Sequence, residues 1–261
     1  MTGPVLFAGD LHSRFHHLNR AGTELHASAV VLLGDMEAKK PLDQELQPLI
    51  DAGIPVYWIL GNHDSDKPEN LEHLLDSKLA GNNIGGRVAV LPDGRRLLGL
   101  NGIFRPSIFD PSVPTPPNFR SRKEHAKATP VQDRWRGSVH LRHWTTVYQD
   151  EFDRVADLQA DILVHHEAGG YHNQGWHLLD DLARSVGASV TVHGHHHDSL
   201  DSSDRWAQQG FKSHGVGLRG VTSIDVDGNA TVIVPGELDK QRNFRQKYID
   251  VLKDHPLQGS R

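Results

Sequence analysis

Apolar residues fall along this chain in short, dense runs that end on glycine or polar residues. Such runs, apolar at consecutive positions, predict strands buried on both faces. They lie at Pro4–Ala8, Ala29–Leu33, Ile54–Leu60, Asp161–Val164 and Ala188–Val192. Between them, helical spacing predicts helices over Phe15–Ala27, Pro41–Ala52, Glu69–Ser77, Thr145–Ala160 and Trp176–Ser185. Arg87–Leu91 and Arg95–Leu100 flank Pro92-Asp93-Gly94, the pattern of a β-hairpin. Phe211–Val234 reads as closing antiparallel strands, with a turn at Asp227-Gly228. Strands alternating with helices predict an α/β fold in which successive strands run parallel and adjacent.

Two stretches break the pattern. Residues 103–144 are irregular, with prolines at Pro106, Pro111, Pro114, Pro116 and Pro117. Arginines and lysines from Arg105 to Arg142 are interleaved there with Phe104, Phe109, Phe119, Trp135 and Trp144. A loop that long is either functional or a solvated surface insertion. As a lid it would bring arginines to phosphate oxygens, and arginine with aromatics could also grip single-stranded nucleic acid. Residues 237–261 form a tail in which Leu238, Phe244, Tyr248 and Leu252 predict a helix packed on the body or on a second copy. No repeat or interior linker divides the chain, so a single domain over residues 1–261 is expected.

Composition narrows the chemistry. The 261 residues carry a formal charge of -5, so no global basic field draws nucleic acid. Cysteine is absent, which removes disulfides, thiolate metal sites and cysteine nucleophiles. No leader-like segment opens the sequence and no run reaches the ~18 apolar residues of a spanning helix, so the expectation is a cytoplasmic protein with no membrane partner. Histidine is the outlier, at 19 residues against two methionines, and the histidines concentrate where apolar runs end. Ligands bind at those ends in open α/β sheets.

The strand ends carry the candidate chemistry. The first gives Asp10 and His12, two apart and so on one side of extended chain, where they could grip a metal ion; Asp10 could equally cap a helix beside an incidental His12. The second ends in Gly34-Asp35, which a β-α-β unit places at the same sheet edge as Asp10. Carboxylates brought together repel unless a proton or cation lies between them. The third ends in Gly61-Asn62-His63-Asp64: an amide ligand beside an imidazole that can donate a proton, or an ordinary turn. The fourth ends in His165-His166-Glu167 and the fifth in His193-Gly194-His195-His196-His197-Asp198. Crowded imidazoles repel when protonated and have little reason to gather unless something binds them.

In this order the five blocks resemble the calcineurin-like metallophosphoesterase superfamily, known by Asp-x-His, Gly-Asp, Gly-Asn-His-Asp/Glu, His and Gly-His-x-His. The resemblance spans residues 5–198 and leaves 103–144 unmatched. It implies a four-layer α/β/β/α sandwich with two divalent metals at one rim. Asp10, His12 and His197 would hold the first, Asp35 would bridge, and Asn62, His166 and His195 would complete the second. His165 competes with His166 for the fourth block; strand register favours His166. His63 would be the proton donor, with Asp64 orienting it or the turn. The donors suit manganese, iron or zinc, with magnesium or nickel as further options. Two such ions would let a bridging hydroxide attack phosphorus.

Departures limit the resemblance. The serine/threonine phosphatase branch has Asp-Arg-Gly after its second block and arginine before its third. Here Met36-Glu37-Ala38 follows Asp35 and Leu60 precedes Gly61, which points away from protein phosphatases. The expected activity is a phosphoesterase acting on a phosphodiester or nucleotide ahead of a simple phosphomonoester. Arg14, Arg105 and Arg219 are candidate phosphate contacts. The alternatives are a phosphoanhydride hydrolase acting on dinucleoside polyphosphates, a nuclease using the insertion, and a non-catalytic scaffold.

Overall fold

The computed structural model describes residues 3–242. Its strands are β1 (Val5–Ala8), β2 (Ala29–Leu32), β3 (Val56–Trp58), β4 (Val88–Val90), β5 (Arg96–Leu100), β6 (Ile162–His165), β7 (Val190–His193), β8 (Lys212–Gly215), β9 (Val221–Ile224) and β10 (Ala230–Val234). Its α-helices are α1 (His16–Glu24), α2 (Leu42–Glu45), α3 (Gln47–Asp51), α4 (Pro68–Leu75), α5 (Arg122–Ala128), α6 (Gln149–Ala156), α7 (His177–Ser185) and α8 (Trp206–Gln209). One five-stranded sheet runs β10-β9-β1-β2-β3 and the other β4-β5-β6-β7-β8.

Alternation along each strand explains the layering. Val5, Phe7, Ala29, Val31 and Leu33 point inward and meet Leu97, Ile162, Val164, Val190 and Val192 of the second sheet. The alternate residues Leu6, Ala8, Val30, Leu32 and Trp58 point outward under Leu18, Leu42, Leu49, Leu71 and Leu74 of α1, α2, α3 and α4. On the far side Leu98, Leu100 and Leu163 pack beneath Phe152 and Val155 of α6 and Leu179 and Leu182 of α7. Helices therefore cover both outer faces of two packed sheets, which is the four-layer α/β/β/α order.

The β1-α1-β2 unit is parallel, with Val5 opposite Ala29 and Ala8 opposite Leu32. β6 and β7 are also parallel, with His165 opposite His193. The hairpin at Pro92-Asp93-Gly94 forms, with Ala89 opposite Leu97.

Three expectations are corrected. The Pro41–Ala52 helix is two short ones: Leu46 leaves helical geometry at φ -107°, and Pro48, at the start of the second helix, has no N–H to bond back to Gln44. The Thr145–Ala160 helix shrinks to Gln149–Ala156; β-branched Thr146 and Val147 instead run beside Ile103. Within 211–234 only β9 and β10 are antiparallel, to β1 and to each other; β8 joins the other sheet, parallel to β7.

Residues 103–144 are less irregular than expected. They contain α5, whose first turn is capped by the Ser121 hydroxyl accepting from Glu124 N, and short 3-10 turns. Of the expected tail helix, residues 239–242 are helical and the rest lies outside the described residues.

Candidate metal centre

The side chains at the strand ends of both sheets meet at one rim. The first sheet supplies Asp10 and His12 after β1, Asp35 after β2, and Asn62 and His63 after β3; the second supplies His166 after β6 and His195 and His197 after β7. Their ligand atoms form two close groups, Asp10-His12-His197 and Asp35-His166-His195, each with its atoms within 4.8 Å of one another. Asn62 Oδ1 joins the second group, 3.2 Å from His166 Nε2.

Backbone at the rim is unusual. Eight of the ten non-glycine residues recorded with left-handed φ lie here: Asp10, His12, Ser13, Asp35, Glu37, His195, His197 and Arg219. Such conformations are costly and persist where surrounding structure enforces them, often at functional sites. Close approach explains the glycines before the motifs. A Cβ on Gly194 would stand 2.6 Å from Asp10 Oδ2.

His166 and His12 each have one ring nitrogen engaged and one aimed inward. His166 Nδ1 donates to Leu33 O at 2.7 Å, so Nε2 faces Asp35 Oδ2 at 3.3 Å. His12 Nδ1 lies 2.5 Å from Glu37 Oε2, so its Nε2 faces His197 Nε2 at 3.4 Å. Partners of this kind set the tautomer and orientation of a metal-binding imidazole. His195 N donates to both Asp10 oxygens, at 3.0 and 2.9 Å.

The fork between His165 and His166 has a plain geometry. His165 is the last residue of β6, and its Nδ1 donates to Glu167 O while its ring stacks on His193. It points away from the rim, whereas His166 points into it.

His63 and Asp64 part company. His63 N donates to Asp35 Oδ1 at 2.8 Å, and its Nδ1 lies 2.6 Å from Asp66 Oδ2. Burial opposes charge on the ring, but Asp66 and the carboxylates of Asp35 and Glu37 outweigh it and hold its pKa above the ordinary value. Asp64 does not touch His63's ring. It is fully buried and accepts from the backbone N–H groups of Asp35, Met36, Glu37 and Gly61 at 2.8–3.1 Å. Of the two roles expected for Asp64 at the catalytic turn, orienting His63 or the turn itself, these contacts favour the turn, because the carboxylate ties two loops together. Asp66 and Glu37 were not singled out from sequence; an aspartate three residues past a turn histidine was the available signal.

The candidate arginines separate as well. Arg14 and Arg219 both pair with Glu237, at 3.2 and 2.6 Å. Arg105 Nε donates to Thr146 Oγ1 at 3.0 Å, close enough to Asp66 to feel its charge.

The donor set fits divalent cations. Asp10 and Asp35 are buried, and among the described residues no lysine or arginine is hydrogen-bonded or ion-paired to either carboxylate. Burial, Asp35 and Asp64 push the Asp10 carboxyl up to about 7 despite nearby His166. Burial likewise opposes the His166 imidazolium, yet Asp35 and Asp10 hold it up, to about 10. That proton neutralises carboxylates that a cation would neutralise better, and ligation at Nε2 would release it.

Comparisons agree with the geometry. The family model described as calcineurin-like phosphoesterase matches residues 3–199. An uncharacterized protein of Haemophilus influenzae is 32% identical over 225 residues, covering 86% of this chain and 95% of its own. Among solved structures, TT1561 of Thermus thermophilus aligns with a TM-score of 0.56 at 14% identity, covering 90% of this chain and 99% of that one. A dimetal phosphatase from Danio rerio aligns with a TM-score of 0.52 at 13% identity, covering 91% and 98%. At such identities these two structures attest the fold. With a family match over most of its length and the motif residues gathered at one rim, the chain belongs to the calcineurin-like phosphoesterases, a family of metal-dependent hydrolases of phosphoric esters.

Proposed function

We propose that the protein hydrolyses a phosphodiester or nucleotide, ahead of a simple phosphomonoester, at this rim. The observation that carries the reading is the pair of adjacent ligand groups with His63 beside them: its ring centroid is 5.5 Å from that of His12. Asp10, His12 and His197 would hold one cation, and Asn62, His166 and His195 the other, with Asp35 shared. Mixed imidazole and carboxylate donors favour manganese, iron or zinc. The bound ions would polarise phosphoryl oxygens and lower the pKa of water.

The chain's own groups do the rest. His63 gives Nδ1–H to Asp66, which leaves Nε2–H to protonate the departing oxygen; a positioned general acid contributes ~10²–10⁴-fold. His12 and His166 are held in the tautomers that direct Nε2 inward by Glu37 and Leu33 O. Residues 103–144 would act as a lid, with Arg105 beside the leaving-group side. Several of the insertion's arginines are already paired, Arg120 with Asp153, Arg122 with Glu151 and Arg136 with Asp76, which weighs against a nuclease groove. A cytoplasmic setting is part of the same reading.

The test is hydrolysis of aryl phosphomonoester, phosphodiester and phosphoanhydride substrates with manganese and without metal. Metal-dependent turnover fastest on the diester supports the proposal. Equal or faster turnover of the monoester would move the substrate class, and no turnover by metal-loaded protein would leave the scaffold.

A further inference from the structure

Three separate segments converge beside the loop that carries Asp10 and His12. Arg14 follows that loop, and its backbone N donates to Leu11 O at 2.9 Å. Arg219, between β8 and β9, donates N to Gly9 O at 3.0 Å and Nε to Leu11 O at 3.3 Å. Glu237, just past β10, donates N to Leu218 O at 2.9 Å. Its carboxylate spans both arginines: Oε1 is 3.2 Å from Arg14 Nη1 and Oε2 is 2.6 Å from Arg219 Nη1. One oxygen on each of two guanidinium groups is also how two arginines grip a phosphate.

The three partners are unequal. Arg219 is largely buried, its side chain 16% exposed, while Arg14 and Glu237 are 58% and 46% exposed. Arg219 is further pinned by Leu11 O and by a left-handed backbone at φ 55°. Arg219 is thus built into the metal loop, while Arg14 and Glu237 meet it from the surface. An exposed ion pair is worth little and yields readily to a stronger anion. A phosphate carries more charge and more acceptor oxygens than a carboxylate.

We propose that Arg14 and Arg219 form an anion subsite beside the metal centre, that Glu237 fills it when substrate is absent, and that the substrate carries a second phosphate which displaces Glu237. The inference rests on the phosphoesterase reading and adds a substrate class to it: phosphoesters with a further phosphate besides the one attacked. Glu237 then discriminates against singly phosphorylated molecules, which gain nothing from displacing it.

The probe is inorganic pyrophosphate, titrated calorimetrically at pH 8 and low salt into the full chain freed of metal by chelation. Glu237→Gln keeps the shape of the side chain and removes its charge, so pyrophosphate should bind about tenfold more tightly than to the wild type. Arg14→Ala changes an exposed residue and should cancel that gain in the double variant. Equal binding by the wild type and Glu237→Gln, no binding by either, or a gain that survives Arg14→Ala overturns the subsite. Manganese-dependent hydrolysis of aryl phosphoesters by the wild type is read separately. Its absence beside the expected titrations counts against the phosphoesterase reading and leaves the subsite standing.

Discussion

His63 Nδ1 and Asp66 Oδ2 stand 2.6 Å apart across a single 3-10 turn, His63–Ser65. The contact fixes which nitrogen of His63 faces the rim. Both residues are substantially exposed, so the turn can lose Asp66 without losing its fold. Asp66→Asn should lower kcat about tenfold, and His63→Gln by ~10²–10⁴-fold. Both losses should grow as the leaving group becomes more basic, because only a poor leaving group needs the proton. Metal content should not change. A series of aryl phosphoesters of graded phenol acidity reads this directly; a uniform loss across the series would remove His63 from proton donation.

Asp64 sits one position away from His63 and behaves differently. Its carboxylate gathers four backbone N–H groups from two loops in a fully buried setting. Asp64→Ala would leave those donors unsatisfied and should cost about 3 kcal/mol or more, whereas Asp66→Asn should stay within about 0.5 kcal/mol. Urea unfolding of the two variants makes the comparison. Similar midpoints would contradict the division of labour between the two aspartates.

Asp10 is a site residue maintained at the expense of stability. Burial and neighbouring carboxylates raise its pKa to about 7, so at pH 8 it is mostly ionised, and that buried charge costs the fold stability. Without metal, Asp10→Asn should therefore match or exceed the wild type in thermal stability at pH 8, while losing metal affinity. For a raised carboxyl the stabilising contribution is complete below its unfolded pKa and falls as pH rises toward 7, so the advantage of Asn should vanish near pH 4. Melting curves of both proteins in chelator at the two pH values are the check. A variant markedly less stable than wild type at pH 8 would mean the carboxylate is worth keeping for the fold alone.

Acid should unfold the protein early. Burial holds His143, His165 and His197 at about 4 and His195 at about 3, and holds His193 and His196 below the ordinary value. Each is neutral in the fold and protonates at about 6.5 once unfolded. Their contribution is complete above pH 6.5 and is lost as pH falls toward 4. Asp10 and Asp64, both raised to about 7, and Glu167 and Asp180, also raised, work in the opposite direction, but they are fewer than the lowered histidines, which also include His17, His125 and His214. Chemical denaturation of metal-free protein should show a lower midpoint at pH 5 than at pH 7; an unchanged or higher midpoint would contradict the protonation argument.

What was legible in the sequence was local. Apolar strands ending in Gly-Asp or Gly-Asn-His announce the strand and a polar tip, and the resemblance to the family's ordered blocks then implied Asp10, His12, Asp35, Asn62, His195 and His197 as ligands. Register favoured His166 over His165 without deciding between them, since consecutive strand residues face opposite sides. What was not legible depends on distant chain. Lys212–Gly215 has no pattern that tells which sheet it joins. Glu37 reaches His12 across 25 positions, and Arg14 reaches Glu237 across 223. Carboxylates of that sort are common along a chain, and only the folded geometry picks out Glu37 as the partner of His12 and Glu237 as the partner of Arg14.

The most direct measurement is metal stoichiometry: divalent ions bound per chain, by elemental analysis after manganese loading and removal of excess, for wild type and Asp35→Ala. The account predicts two ions in the wild type, and loss of the second with weakened hold on the first when Asp35 is removed. Folded wild-type protein that retains no divalent metal, or an Asp35→Ala variant that retains both ions, would contradict it.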